Sequence, residues 1–93
     1  MQIYRSKNKS EDFLFSAFLK LDTKHEVASF LRDLLTEQEI EEFSIRLQIA
    51  QLLLDKKLSY RKIAEKTNTS TTTVSRVSNW LNRGCGGYKK VLS

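Results

Sequence analysis

One segment of 24 residues carries the strongest structural signal in this chain: residues 58–81, LSYRKIAEKTNTSTTTVSRVSNWL. Two short helices are predicted within it, capped by Ser59 and Ser70, because a serine hydroxyl accepts hydrogen bonds from the N–H groups at a helix start. The turn between them, predicted over residues 67–69, needs a left-handed residue, and Asn68 tolerates positive φ well. With Ala64 as the small residue where the helices meet, the spacing predicts a helix-turn-helix.

The second of these helices begins with a cluster of hydroxyl side chains. In a helix-turn-helix this end enters the major groove of DNA, where hydroxyls bond to phosphates or base edges and threonine methyl groups pack against thymine. Arg61 is predicted to grip O6 and N7 of a guanine, and nearby lysines are predicted to contact phosphates. The alternative explanation is that some of the hydroxyls cap the helix and the others lie on a solvated helix face. The predicted DNA-binding residues are Arg61, Lys62, Lys66, Ser70, Thr71, Thr72, Thr73 and Ser75.

Charge is distributed unevenly along the 93 residues. Residues 1–55 carry seven Lys and Arg against ten Asp and Glu, a balance of −3, whereas residues 56–93 carry nine against the single Glu65, a balance of +8. The acidic part is therefore predicted to be scaffold, and the basic part is predicted to bind a polyanion. A basic segment that only improves solubility is the alternative, which charge alone does not exclude.

Length and composition restrict the class of protein. Ninety-three residues are predicted to form a single domain, residues 1–93, with no room for a separate catalytic domain. No nucleophile has a visible base, and one histidine and one cysteine provide no metal-ligand set, so we expect neither an enzyme nor a metal site. No apolar run matches a membrane span or a signal peptide, which predicts a cytoplasmic protein with no membrane partner.

Helix and short turn are predicted for everything before Gly84, because the chain has no proline and its three glycines lie at 84, 86 and 87. The first helix is predicted to begin at Ser10, its N-cap, and to run to about Leu21. Thr-x-x-Glu spacings, typical of capping boxes, then open a second helix at Thr23 and a third at Thr36. The pattern predicts an all-α fold of about six helices.

The third helix, predicted over residues 37–55, has two apolar faces, and the first helix is apolar around nearly its whole circumference. Because a helix with two apolar faces must be covered on both, a second copy of the chain is predicted to cover the surplus surface. Residues 10–55 are therefore predicted to be a helical dimerisation core, followed by the helix-turn-helix over residues 59–82. A tightly wrapped monomeric bundle is the alternative.

Residues 84–93 are predicted to form a C-terminal tail. Tyr88, Lys89 and Lys90 either form a final helical turn against the dimer or contact a phosphate, and the sequence does not choose between these roles. Cys85 lies among glycines near positive charge, and it is interpreted either as an incidental thiol or as a redox switch.

Two segments resemble a known family: LLTEQEIEEFSIRLQIAQLLL (residues 34–54) and LSYRKIAEKTNTSTTTVSRVSN (residues 58–79) are similar to the central helix and the reading head of the tryptophan repressor family. Within that family, the chain resembles the short branch often labelled YerC/YecD. The resemblance implies an all-α helix-turn-helix fold of Trp-repressor type and an intertwined homodimer. It also implies a partner, double-stranded DNA, bound by two reading heads at a roughly palindromic operator.

The resemblance also implies an effector pocket between the central helix and the recognition helix. In tryptophan-binding members, two arginines flank the indole of the ligand, and two threonines lie near the pocket. Two positions depart from that pattern and add bulk, because valine replaces a glycine and tryptophan replaces a serine. The effector-pocket candidates carried over to this chain are Thr36, Arg46, Thr73, Arg76, Val77 and Trp80.

These departures suggest that Trp80 itself takes the place of the indole. Trp80 follows Arg76 by four residues, and a stack between them would contribute roughly 0.5–2 kcal/mol. The alternative is that Trp80 is a core aromatic and that Arg46 and Arg76 pair with acids such as Glu42. We therefore expect no resident cofactor and DNA binding without tryptophan as corepressor, with tryptophan or another small effector as the alternative.

The leading prediction is a sequence-specific transcriptional regulator, a repressor that binds a palindromic operator as a dimer. Two alternatives remain from the sequence: a nonspecific architectural DNA-binding protein, and a helical adaptor whose basic face meets an acidic protein. An architectural protein tolerates any duplex, and an adaptor keeps its activity after Arg61→Ala combined with Thr72→Ala.

Overall fold

The computed structural model describes residues 2–93, which contain six α-helices and no strand. None of these helices is both long enough and apolar enough to cross a membrane. The all-α prediction is confirmed, and so is the number of helices. The helices are α1 (Lys9–Phe18), α2 (Lys24–Leu34), α3 (Glu37–Asp55), α4 (Tyr60–Thr67), α5 (Thr71–Arg83) and α6 (Gly87–Leu92). Residues 4–41 form one compact unit, and residues 42–93 form the other together with residues 2 and 3.

The bounds of α1 differ from the prediction at both ends. Asn8 is the N-cap, because its side chain accepts a hydrogen bond from the N–H of Glu11 at 2.9 Å. Asparagine caps as well as serine does, so the prediction of Ser10 was wrong by two positions. The helix ends at Phe18 rather than near Leu21, because the next three N–H groups bond to carbonyl oxygens only three residues back.

The starts of α2 and α3 confirm the predicted capping boxes. The side chain of Thr23 accepts a hydrogen bond from the N–H of Glu26 at 3.1 Å, and Thr36 accepts one from Glu39 at the same distance. At α3 the box is reciprocal, because Glu39 Oε1 accepts from the Thr36 N–H at 2.9 Å. Two backbone donors that the helix cannot satisfy internally are thereby paired.

The N-terminal unit, residues 4–41, contains no buried residue, although α1 is rich in aromatic and aliphatic side chains. Phe18 and Phe30 meet edge to face with ring centroids 5.3 Å apart. Phe13, in contrast, is 77% exposed. Apolar side chains left in contact with water in this way are typical of a surface that another chain covers.

The unit of residues 42–93 has a small core that is mainly apolar, with the polar Thr67 and Ser78 also buried. The clustered apolar residues come in pairs from three helices, and two side chains of α6 pack against them. Burial of these side chains holds α4 and α5 against the second half of α3. The core residues are Ile49 and Ala50 of α3, Ile63 and Ala64 of α4, and Val74 and Val77 of α5, with Tyr88 and Leu92 of α6 packed against them.

The turn between α4 and α5 has the predicted left-handed residue. Asn68 has φ 54° and ψ 47°. Its N–H donates to the carbonyl oxygen of Glu65 at 3.3 Å, and the N–H of Thr69 donates to the carbonyl oxygen of Ala64 at 2.9 Å. This pair of bonds is the Schellman motif of a helix end. Thr67 was predicted in the turn but ends α4 instead, because its hydroxyl bonds to the Ile63 carbonyl at 2.8 Å and its side chain is buried.

Replacing Asn68 by alanine is expected to lower the free energy of unfolding by about 1 kcal/mol, because the Cβ of alanine disfavours positive φ without the local hydrogen bonding that asparagine offers. Glycine at the same position has no Cβ and is the matched control, with stability expected within about 0.5 kcal/mol of the unmodified protein. Urea unfolding of the three proteins measures the difference. Equal stability of the alanine and glycine variants would contradict the assigned role of the turn.

The segment predicted as a tail contains α6. At the end of α5 the N–H of Gly84 bonds to the carbonyl of Trp80 at 2.9 Å, and a Cβ on Gly84 would clash with the same oxygen. Gly86 then takes a left-handed φ of 83° before α6 begins. Tyr88 lies in α6 and packs against the core of its own chain, which shows the helical turn. Packing of this turn against a dimer and contact with a phosphate both stay predictions.

Candidate nucleic-acid interface

The hydroxyl-rich start of α5 divides into a cap and an exposed surface. Ser70 Oγ accepts a hydrogen bond from the N–H of Thr73 at 3.1 Å and lies 3.1 Å from the Thr73 hydroxyl. Thr73 is half-buried, whereas Thr71, Thr72 and Ser75 are exposed. The outer surface of the helix start therefore carries the hydroxyls of residues 71, 72 and 75, and Thr73 belongs partly to the cap.

The opposite side of α5 fixes this orientation. Val74, Val77, Ser78 and Leu81 are buried, with the spacing of one helical face. Because that face packs inward, the exposed hydroxyls must point outward. The predicted recognition surface thus follows from the burial of the other side of the same helix.

A hydrogen bond between Tyr60 and Ser78 ties the start of α4 to the middle of α5. Asn82 adds a hydrogen bond from its side-chain amide to the Ser78 carbonyl at 2.9 Å. Neither Tyr60 nor Ser78 was among the predicted functional residues. The signal was present, since Ser78 shares the apolar face of Val74 and Leu81 and a buried hydroxyl requires a partner.

The predicted basic contacts lie on the exposed surface of α4. Arg61 has 86% of its side chain exposed, and Lys62 and Lys66 are also exposed. Arg61 Nε lies 3.8 Å from one carboxylate oxygen of Glu65, and Lys62 Nζ lies 3.6 Å from the other. Within residues 2–93, Lys66 forms no ion pair. The cationic surface of α4 is therefore partly neutralised by one acid.

A cavity of about 490 Å³ lies among α3, α5, α6 and the turn before α5. It brings together five of the six predicted effector-pocket residues. Thr36 is not among its lining residues; it belongs to the N-terminal unit, where it caps α3. The lining comprises Arg46, Thr73, Arg76, Val77 and Trp80, together with Glu42, Ile45, Thr69 and Tyr88, which were not predicted to line it.

The hypothesised stack of Trp80 on Arg76 is not among the cation–π contacts of residues 2–93. The contact found there is Arg46 over the ring of Phe43, with the guanidinium carbon 5.5 Å from the ring centroid. Trp80 is 63% exposed, so it is not a core aromatic either. Neither Arg46 nor Arg76 forms an ion pair within the described range.

The indole of Trp80 also borders a second, apolar cavity of about 440 Å³ beside α6. Cys85 is exposed at the edge of this cavity. No group of three or more His, Cys, Asp or Glu side chains in the part of the chain that the structure describes is arranged to hold a metal ion. The two cavities and the exposed surface of α4 and α5 are the candidate binding sites within the unit of residues 42–93.

The exposed start of α5 and the cationic face of α4, held on an all-α scaffold, define a DNA-binding protein of the helix-turn-helix class. The family model for the Trp repressor protein matches residues 9–93, and the chain belongs to this family. The protein is accordingly a DNA-binding regulator and not an enzyme.

Three relatives illustrate the similarity. An uncharacterised Bacillus subtilis protein, YerC, is 38% identical over 92 residues, covering 99% of this chain and 88% of the relative. A Trp operon repressor homolog from Haemophilus influenzae is 36% identical over 80 residues, covering 85% of this chain and 79% of the relative. A TrpR-like protein of known crystal structure from Eubacterium eligens is 40% identical with a TM-score of 0.83, covering 91% of this chain and 87% of that one.

Proposed function

We propose that this protein represses transcription by binding a palindromic operator as a homodimer. The observation that carries the proposal is the surface formed by Arg61, Thr71, Thr72 and Ser75, which is exposed at the position where a helix-turn-helix meets the major groove. Arg61 would select a guanine, and the threonine methyl groups would favour thymine. Lys62 and Lys66 would add affinity through phosphates without sequence preference.

The exposed apolar side chains of the N-terminal unit support the homodimer. Phe13, Phe15, Phe18 and Leu19 are all exposed on or beside α1. A small protein gains stability by covering such a surface, and a second copy of the chain offers an identical surface in return. A twofold dimer would present two recognition helices about 34–36 Å apart, one turn of DNA, and hence read a palindrome.

Two of the residues that line the 490 Å³ cavity are the reason for proposing DNA binding without tryptophan. Val77 and Trp80 both contribute to its lining, and both are larger than the residues expected at these positions in tryptophan-binding members. Arg46 and Arg76 remain available in the same lining for an anionic group, so a different small effector is the alternative. We propose that the protein binds its operator with no resident cofactor.

Selection of bound duplexes from a random pool, with and without L-tryptophan, tests three parts of this proposal together: sequence-specific binding, the twofold symmetry of a homodimer, and independence from tryptophan. We expect a twofold-symmetric consensus whose half-sites lie one helical turn apart. We also expect specific binding at least about 10³-fold tighter than nonspecific binding. The affinity for the operator is expected to stay within about twofold when L-tryptophan is added, because the proposed protein binds its operator without a bound ligand.

Each other outcome of the selection would contradict one part of the proposal. Enrichment of no sequence despite tight binding would identify an architectural protein. Absence of duplex binding would leave the adaptor. An asymmetric consensus would contradict the homodimer, and strong dependence on L-tryptophan would contradict a corepressor-free mechanism.

A further inference from the structure

Glu65 is the only acidic residue between positions 56 and 93. It lies in the last turn of α4, next to the negative end of the helix dipole, where a carboxylate destabilises a helix. Its pair with Arg61 also runs from base to acid along the chain, the less favourable direction for residues four apart. Helix stability therefore does not explain an acid at this position.

The carboxylate of Glu65 is shared between two predicted DNA-binding cations. One oxygen lies 3.8 Å from Arg61 Nε, and the other lies 3.6 Å from Lys62 Nζ. The Glu65 side chain is 56% exposed, so both pairs are weak in energy and a phosphate can compete for either cation. Their importance lies in the charge that they remove from the surface of α4.

The pair with Arg61 uses Nε and leaves the two terminal amino groups of the guanidinium unoccupied. A guanine edge is recognised by two parallel hydrogen bonds to O6 and N7. These bonds can come from the terminal amino groups while the carboxylate remains beside Nε. A phosphate of arbitrary DNA, in contrast, must approach the same cations past the negative charge of Glu65.

We propose that Glu65 is a specificity-determining residue, which weakens binding of α4 to DNA of arbitrary sequence and keeps Arg61 positioned for one guanine. The proposal rests on the proposed function, since it requires an operator that Arg61 reads. Lys62 is the second cation whose phosphate contact Glu65 weakens. Glu65 thus increases the preference for the operator by weakening the binding of other DNA sequences.

The experiment measures binding of the Glu65→Gln variant to the selected operator and to a scrambled duplex across a series of salt concentrations. Each additional phosphate that the protein neutralises steepens the slope of log affinity against log salt by about 0.9, which amounts to roughly eightfold over one decade of salt. We expect the slope for the scrambled duplex to steepen by the equivalent of about one to two phosphates. The operator slope is expected to steepen by about one phosphate fewer, because Lys62 is released on both duplexes whereas guanine occupies Arg61 on the operator. The specificity ratio therefore falls by roughly eightfold.

Two variants serve as controls. Glu41→Gln makes the same substitution on α3, at an exposed residue that forms no ion pair in the described range, and it should leave slope and ratio unchanged. Glu65→Asp keeps the charge and should retain the specificity ratio of the unmodified protein within about threefold. Thermal unfolding of all variants separates these effects from any change in the fold.

Three results would overturn the proposal. The first is a Glu65→Gln variant whose slope and ratio match those of the unmodified protein. The second is loss of discrimination at a single C·G pair, which would make Glu65 a direct reader of the cytosine amino group. The third is an unmodified protein with no preference for any duplex, and that result alone would also remove the proposed function.

Discussion

Replacing Arg61 and Thr72 together by alanine is expected to abolish most of the discrimination between the operator and a scrambled duplex. A bidentate arginine–guanine contact is worth about 1–3 kcal/mol of discrimination, or roughly 5- to 150-fold, and the threonine contributes further at its own base pair. Both side chains are exposed, so the stability of the fold is expected to change by less than about 0.5 kcal/mol. Competition binding with both duplexes measures the ratio.

Lys66→Ala is the matched control, because Lys66 lies on the same helix and forms no ion pair within residues 2–93. It is expected to weaken operator and scrambled duplex alike and to reduce the salt slope by about 1. A double variant that keeps full discrimination, or that behaves like Lys66→Ala, would show that α4 and α5 do not read bases. The adaptor would then be the better explanation of the basic face.

Replacing Phe13 by glutamate is expected to dissociate the proposed homodimer and, with it, most operator binding. The side chain is 77% exposed in one chain, so the substitution costs an isolated monomer little. At a twofold interface it removes two buried rings, each worth about 1.5–3 kcal/mol, and places two carboxylates there instead. We expect the dimer dissociation constant to rise at least about 100-fold, as measured by sedimentation equilibrium.

Phe13→Leu retains an apolar side chain and is expected to remain dimeric, which separates charge burial from a general effect of altering α1. Operator binding by both variants should follow their state of association, because two half-sites must be occupied together. A Phe13→Glu protein that sediments like the unmodified one would place the interface elsewhere. A protein that is monomeric before any substitution would favour the wrapped bundle.

The helix-turn-helix was predictable because its signals are local. Ser59 and Ser70 cap their helices as expected, and Asn68 has the left-handed conformation that the turn requires. Each of these choices depends on a few neighbouring residues and on no distant contact. The same locality explains the confirmed capping boxes of α2 and α3.

The errors arose where two local solutions compete. Asn8 and Ser10 are both good caps, and only the hydrogen bond from Glu11 shows that Asn8 begins α1. Thr67 was predicted in the turn beside Asn68, yet burial and a bond to the Ile63 carbonyl extend α4 by one residue. Tertiary packing decides the case of Thr67, and composition contains no record of it.

The candidate pocket was predictable in its positions but not in its contacts. Residue spacing places Arg76 and Trp80 on one side of α5, and both line the cavity. Spacing does not determine side-chain torsions, so it could not show that Arg46 lies over Phe43 while Trp80 stays exposed. Tyr88 lines the cavity because α6 packs against the core. The sequence did not indicate this helix, because three of the four residues from Gly84 to Gly87 are glycines.

The short turn at Asn68 has a consequence for the order of assembly. Because α4 and α5 are adjacent in the chain, their pairing requires closure of only a very short loop, a step on the order of 100 ns or less. Formation of the proposed homodimer is instead a second-order process, whose rate falls with dilution. In a freshly diluted or newly synthesised population, we therefore expect folded recognition helices to accumulate first and paired ones later, at a rate set by protein concentration.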